Sequence, residues 1–175
     1  MSDARPGAAP QHPRTVRLDD HTALGLRLMT AADAAPIVAF ARSLPDDDLL
    51  FLRTDITNPD MVAEWVQNLE AGRTIAEVDG EMAGYAALVT NRLSWQRHLG
   101  EIRIQVAQRY RSRGVGRALA GEILALARPR GLRKIVAQMT PDQKGAIATF
   151  ERLGFRPEAS LPCADLPAPG RTSPR

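Results

Sequence analysis

Apolar and polar residues along the chain follow two spacings, every second residue and every third or fourth, and the switches between them outline the elements. "TVRLDD" and "ALGLRLM" read as two short strands, with Asp19, Asp20 and His21 as the turn between them. "TAADAAPIVAFARSL" predicts a helix over about 31–43, with Pro36 confined to its first turns. "NPDMVAEWVQNLEAG" predicts a second helix: Asn58 caps, Pro59 takes the first position, and Gly72 suits the exit. Met61, Val62, Trp65, Val66 and Leu69 give that helix an apolar stripe.

The pair Asp79–Gly80 sits between two apolar segments at 74–90 and predicts a hairpin. After a loop holding Trp95 and His98, "GEIRIQV" sets Ile102, Ile104 and Val106 against Glu101, Arg103 and Gln105, as a strand would. A helix follows over 114–128, with Val115, Ala118, Leu119, Ile123 and Leu126 on one face and Pro129 and Gly131 as its stop. "KIVAQM" is a further strand. "TPDQKGAIATFERLG" predicts a helix capped by Thr140, with Pro141 first, Gln143 completing a capping box and Gly154 at the exit. "FRPEASLP" suits one last strand. This order makes an α/β chain whose sheet is mostly antiparallel, with a parallel pair across the helix at 114–128.

Composition bounds this picture. The 175 residues suit one domain, expected over 15–162, between a disordered tail at 1–14 and a flexible proline-rich tail at 163–175. No apolar run reaches the ~20 residues that span a bilayer, and the N-terminus has no apolar core of a secretory signal, so a cytoplasmic protein away from membranes is expected. The single Cys163 excludes an internal disulfide, and no residue spacing suggests a metal site. Net charge is +3, but residues 1–100 carry 9 basic and 14 acidic side chains, and residues 101–175 carry 14 and 6. That asymmetry points to an anionic ligand held by the C-terminal half; with 21 of 23 basic residues arginine, general residue usage is the alternative.

The candidate anion site is "QRYRSRGVGRAL", residues 108–119, between a strand and a helix. Free N–H groups and partial positive charge at a helix start favour an anion, and glycine lets a phosphate approach the backbone. Arg111, Arg113 and Arg117 add charged donors. The stretch is no P-loop, because Gly116 is followed by Arg117 and Ala118. Nor is it the dinucleotide fingerprint, because Leu119 stands where a third glycine belongs. A nucleic-acid surface is disfavoured, since Tyr110 is the lone aromatic there.

The stretch does resemble the signature of the GCN5-related N-acetyltransferase (GNAT) family: Gln or Arg, two residues, Gly, one residue, then Gly or Ala. Here Arg111, Gly114 and Gly116 fill it. Its context agrees: a strand before it, a helix after it, then a strand and a helix ending in "FERLGF", similar to the family's "Y-E-x-x-G-F" phrase. The resemblance covers roughly residues 15–160, and the opening "TVRLDDHTALGLRLMTAAD" is faintly similar to bacterial members that acetylate protein lysines.

The resemblance implies a GNAT-like mixed sheet flanked by helices, binding acetyl-CoA and transferring its acetyl group to a primary amine, on a protein lysine or a small molecule. It implies that the backbone of Ile104, Gln105 and Val106 binds the pantetheine arm. It also implies that the N–H groups of Arg111, Ser112, Arg113, Gly114, Val115 and Gly116 hold the pyrophosphate, with the Arg111 and Arg113 side chains assisting. Arg117 reaches the 3′-phosphate or only solvent, and Gln143 stands where an asparagine often contacts the cofactor. The strands on either side of the helix at 114–128 splay apart in the family, and an N–H near Ile104 can polarise the thioester carbonyl there. Glu101 matches a catalytic glutamate of several members and is either the general base or a carboxylate paired with Arg103.

Two departures stand out. Phe150 replaces the tyrosine that protonates the leaving thiolate in many members, so water serves as the acid or turnover is slow or absent. The family's closing hairpin has no counterpart after "FRPEASLP", which leaves the acceptor pocket shortened or completed by a partner subunit of a homodimer. The alternative to an enzyme is therefore an acyl-CoA-binding regulatory module that has lost turnover.

Overall fold

The computed structural model describes residues 10–158, apart from 50, 51, 53, 68–71, 91–94 and 96. Six strands lie side by side in chain order: β1 (Arg14–Arg17), β2 (Ala23–Leu28), β3 (Arg73–Val78), β4 (Glu81–Thr90), β5 (Leu99–Val106) and β6 (Lys134–Ala137). Each antiparallel neighbour follows from a turn or a return through helices on the same edge. The β3–β4 turn is made by Asp79 and Gly80, with φ of 51° and 80°, the pair of left-handed residues a two-residue hairpin needs. Only β5 and β6 run parallel, because helix α4 (Val115–Ala127) carries the chain back across one face.

The period-two pattern of β5 sorts the two faces. On one, α4 covers β3, β4 and β5; there Val106 lies under Gly116. On the other, α1 (Ala34–Arg42) and α3 (Pro59–Gln67) lie over Tyr85, whose ring meets Phe40 and Trp65 edge-on at 6.0 and 5.6 Å. Glu101, Arg103 and Gln105 alternate onto that second face, opposite Val89, Ala87 and Tyr85. Gly84 is required where β4 and β5 close up: a Cβ there would overlap the Gln105 carbonyl oxygen.

Local chemistry accounts for most helix starts. Asn58 Oδ1 accepts the Asp60 N–H at 3.0 Å, and Pro59 opens α3 as expected. The first helix of the pattern is a short 3₁₀ turn, Ala31–Asp33, leading into α1, with Asp33 Oδ2 accepting the Thr30 N–H at 2.7 Å. In α3, Val62 and Val66 are buried as the stripe requires, but Met61 is exposed; Leu69 lies outside the described residues.

Four expectations change. A four-residue helix, α2 (Asp46–Leu49), interrupts the segment between α1 and α3. Helix α5 (Lys144–Arg152) begins after the expected capping box, not within it. The Gln143 N–H donates to the Thr140 main-chain oxygen at 3.0 Å, which closes a turn and withdraws the donor the Thr140 side chain would have capped. Gln143 itself becomes the N-cap, with no side-chain bond. Residues 155–158 are irregular where "FRPEASLP" predicted a strand, and its remainder lies outside the described residues.

Finally, the tail expected over 1–14 is structured at its end. Arg14 opens β1 opposite Leu26, and the His12 and Arg14 side chains converge on Glu122 of α4, which is fully buried. Arg14 Nε donates to Glu122 Oε2 at 2.9 Å, and His12 Nε2 lies 3.1 Å from Oε1. A carboxylate at a core-facing position of α4 needs such partners, and they draw the segment onto the sheet. The tails at 1–9 and 163–175 lie outside the described residues.

Candidate functional site

The loop from β5 into α4 has the backbone of an anion cradle. Ser112 and Gly114 both take left-handed conformations, with φ of 59° and 91°. No side chain caps α4, and its first internal bond runs from the Ala118 N–H to the Gly114 carbonyl at 3.0 Å. The N–H groups of Val115, Gly116 and Arg117 therefore lack a partner within the helix, at the end where its dipole is positive. Of the loop N–H groups, that of Arg111 is committed to the Gln108 carbonyl at 3.2 Å.

The two glycines serve different needs. Gly114 is dictated by its φ. At Gly116 a Cβ would make only ordinary contact with Val106, at 3.8 Å. Among the described residues nothing demands glycine there, although glycine disfavours a helix by up to about 1 kcal/mol relative to alanine.

Each arginine of the loop is held by an acid from another element. Arg111 pairs with Asp48 of α2 and gives its Nε–H to the Val106 carbonyl at 3.2 Å. Arg113 donates to Asp20 Oδ2 at 2.6 Å and Thr22 Oγ1 at 2.7 Å, in the β1–β2 turn. Arg117 donates to Asp19 Oδ1 at 2.6 Å, and Arg109 to Glu81 Oε2 at 2.6 Å. The Asp20 carboxyl is lowered to about 2, first by the Thr22 N–H, then by the Thr22 hydroxyl and Arg113. The guanidinium groups of Arg109 and Arg113 lie 5.0 and 5.5 Å from the centre of the buried Tyr110 ring.

Beside the loop, β5 and β6 part company. Their register ends at Ile102 opposite Ala137, and β5 runs on for four residues with no pairing on that side among the described residues. The Ala107 N–H donates to Ala83 at 2.9 Å, so alternation turns the backbone of Ile104 and Val106 toward the opened side and that of Gln105 into the β4 ladder. This strand edge runs from the Ile104 amide toward the uncapped start of α4.

On the α1–α3 face, Glu101 receives two bonds from Arg103, at 2.9 and 3.2 Å. Nearby, burial pushes the Tyr85 phenol up to about 12, while Arg103 and Arg73 pull the other way. Arg73 stacks 4.3 Å from the Trp65 ring centre and donates to the Trp65 carbonyl at 2.6 Å. Gln143 is exposed at the start of α5. Phe150 is a core residue, edge-on to Phe155 at 5.0 Å. Two shallow concavities lie elsewhere, at the β1–β2 edge and between α1 and Pro59. Among the described residues, none group as metal ligands, and no helix is long and apolar enough to cross a membrane.

What the sequence reading missed is the set of partners: Asp19, Asp20, Asp48 and Glu81 for the arginines, and Tyr110 beneath two of them. Asp19 and Asp20 were legible only as turn formers. An anion cradle next to an unpaired strand edge fits a pyrophosphate joined to an extended, amide-bearing arm.

Comparison with known proteins points the same way. A family model described as the acetyltransferase (GNAT) family matches residues 38–155. An uncharacterized N-acetyltransferase of Methanocaldococcus jannaschii is 36% identical over 89 residues, 49% of this chain and 39% of that protein. The chain thus spans less than half the length of this relative. The GNAT domain of S. lividans PAT superposes with a TM-score of 0.71 at 23% identity, covering 89% of this chain and 94% of that one. The Salmonella typhimurium protein yncA, solved with its cofactor acetyl-CoA, gives 0.69 at 22% identity, covering 83% and 86%. At these identities the structural likeness is one of fold.

Proposed function

Because the chain belongs to the GNAT acetyltransferase family, we propose that it transfers the acetyl group of acetyl-CoA to a primary amine by direct attack in a ternary complex. The acceptor is a protein lysine or a small amine. The observation that carries this reading is the uncapped start of α4 at Gly114–Gly116, next to the stretch of β5 that β6 does not pair. When bound, acetyl-CoA supplies an activated acetyl thioester.

The chain's own groups supply the rest. Backbone N–H groups of residues 112–116 would hold the pyrophosphate, and the Ile104 backbone and the Val106 N–H would hold the amides of the arm, the Val106 carbonyl being taken by Arg111. The Ile104 N–H, turned away from β4, would polarise the thioester carbonyl, a donor of a kind often worth about 3 kcal/mol of barrier. An amine of the lysine type has a pKa near ~10.4 and must lose a proton before it attacks. Glu101 takes that proton through a water, since Arg103 occupies both of its oxygens. Phe150 has no proton to give, so water protonates the leaving thiolate.

One observation favours a second reading, an acyl-CoA-binding module without turnover: the ring at 150 is packed into the core where the family's acid stands. Thiol release from acetyl-CoA across a panel of amines separates the two. Release with at least one amine is expected; tight binding with no release across the panel would favour the module. Glu101→Gln is expected to lower turnover about a hundredfold with cofactor affinity within about twofold. An unaltered pH–rate profile would remove Glu101 from the mechanism.

A further inference from the structure

The acids of the β1–β2 turn do unequal work at the loop. Asp20 is one corner of a closed network: it accepts the Thr22 N–H at 3.0 Å and the Arg113 Nε–H at 2.6 Å, while Arg113 also reaches Thr22 Oγ1 and lies over Tyr110. Arg113 cannot leave that network for a ligand without abandoning three contacts. Asp19 is different. It makes a single bond to Arg117, and the two side chains are 71% and 50% exposed. Its second oxygen, Oδ2, lies 3.7 Å from where a Cβ of Gly114 would stand, and Arg117 Nη2 lies 3.6 Å from the same point. A carboxylate thus hangs over the residue that opens α4, at the end of the helix that draws anions. An exposed single-bonded pair of this kind contributes little and exchanges readily.

We propose that Asp19 is a built-in competitor for the cofactor's phosphates, occupying Arg117 at the start of α4 until a phosphate takes its place, while Asp20 is a strut that fixes Arg113 and thereby the left-handed turn at Ser112–Gly114. Both are positioning residues: Asp19 acts through Arg117 and Asp20 through Arg113. Affinity for the cofactor is therefore set partly by a turn more than 90 residues away in the chain. This inference rests on the acetyl-CoA reading above.

The test is calorimetric titration of the whole chain with acetyl-CoA, with unfolding midpoints measured on every variant. Asp19→Asn is expected to tighten binding about two- to fivefold, the size of a weak exposed ion pair. In an Arg117→Ala background the same change is expected to have no effect. Asp20→Asn is expected to weaken binding about fivefold, because the strut is gone. Equal tightening by Asp19→Asn with and without Arg117 would mean that Asp19 acts only as bulk negative charge, and would overturn the proposal. So would weakening by Asp19→Asn, or tightening by Asp20→Asn. A wild-type chain that does not bind acetyl-CoA would instead sink the cofactor reading itself, and this inference with it.

Discussion

Helix α4 meets arginine–carboxylate chemistry twice, and the two meetings have opposite characters. In its second turn, Glu122 is fully buried and holds Arg14 and His12 against the sheet. At its start, Arg117 pairs with Asp19 in solvent, while Arg113 is held half-exposed by Asp20 and Thr22. The same ionic groups become structural in one place and exchangeable in the other, because a buried carboxylate without its partner costs several kcal/mol and an exposed one is rehydrated. The replaceable pair, Asp19–Arg117, sits at the end of the helix that draws anions.

That contrast can be broken in four ways, the strongest first. Gly114→Val forces a branched side chain into φ of 91° and moves the loop donors. Acetyl-CoA affinity should fall about a thousandfold, the worth of about two charge-assisted hydrogen bonds, while stability falls by only about 1–2 kcal/mol. Retained affinity in a titration would put the anion site elsewhere. Arg14→Leu strips the buried Glu122 of its main partner and should cost about 3 kcal/mol by urea denaturation. A loss under about 0.5 kcal/mol would place this pair with the surface ones.

A third, smaller effect appears in acid. Burial pushes the Asp33 carboxyl up, but bonds from Arg27 and Thr30 outweigh it and hold the group below its ordinary value. A depressed carboxyl stabilises the fold fully above the unfolded value of about 3.9 and loses that contribution as pH falls through the folded one. Arg27→Ala should therefore cost about 1 kcal/mol at neutral pH, with the gap to the wild type narrowing below about pH 4. A gap independent of pH would remove Asp33 as its source. The smallest effect is ionic: any destabilisation by Asp20→Asn should close at about 0.5 M salt, whereas that of Arg14→Leu should persist. Equal salt dependence would erase the distinction.

The fold was largely legible because its signals are local. Asp79–Gly80 needs only two residues to declare a hairpin, and Asn58–Pro59 only two to start α3. The turn into α4 was legible for the same reason, as Gly114 takes its left-handed conformation through its own backbone. Residues whose roles depend on distant partners were not. Asp48 belongs to no local motif, and its role appears only when Arg111 is brought to it from 63 residues away. Thr140 and Gln143 have a capping pattern, yet the backbone turn at 140–143 consumes the donor that pattern needs. Glu122 did leave a signal: it falls on the same helical face as Leu119 and Leu126, and an acid on a core stripe implies a buried partner.

The β1–β2 hairpin touches α4 at both ends, through Arg14 to Glu122 and through Asp19 and Asp20 to the loop and first turn. Hairpin, loop and α4 therefore open as one cooperative unit, so that release of the first strand also dismantles the anion cradle. Because Asp20 keeps the hairpin tied to the loop when a phosphate displaces Asp19, occupancy of that cradle should then protect Arg14 and Arg17 from trypsin. The protease would read binding from the far edge of the sheet.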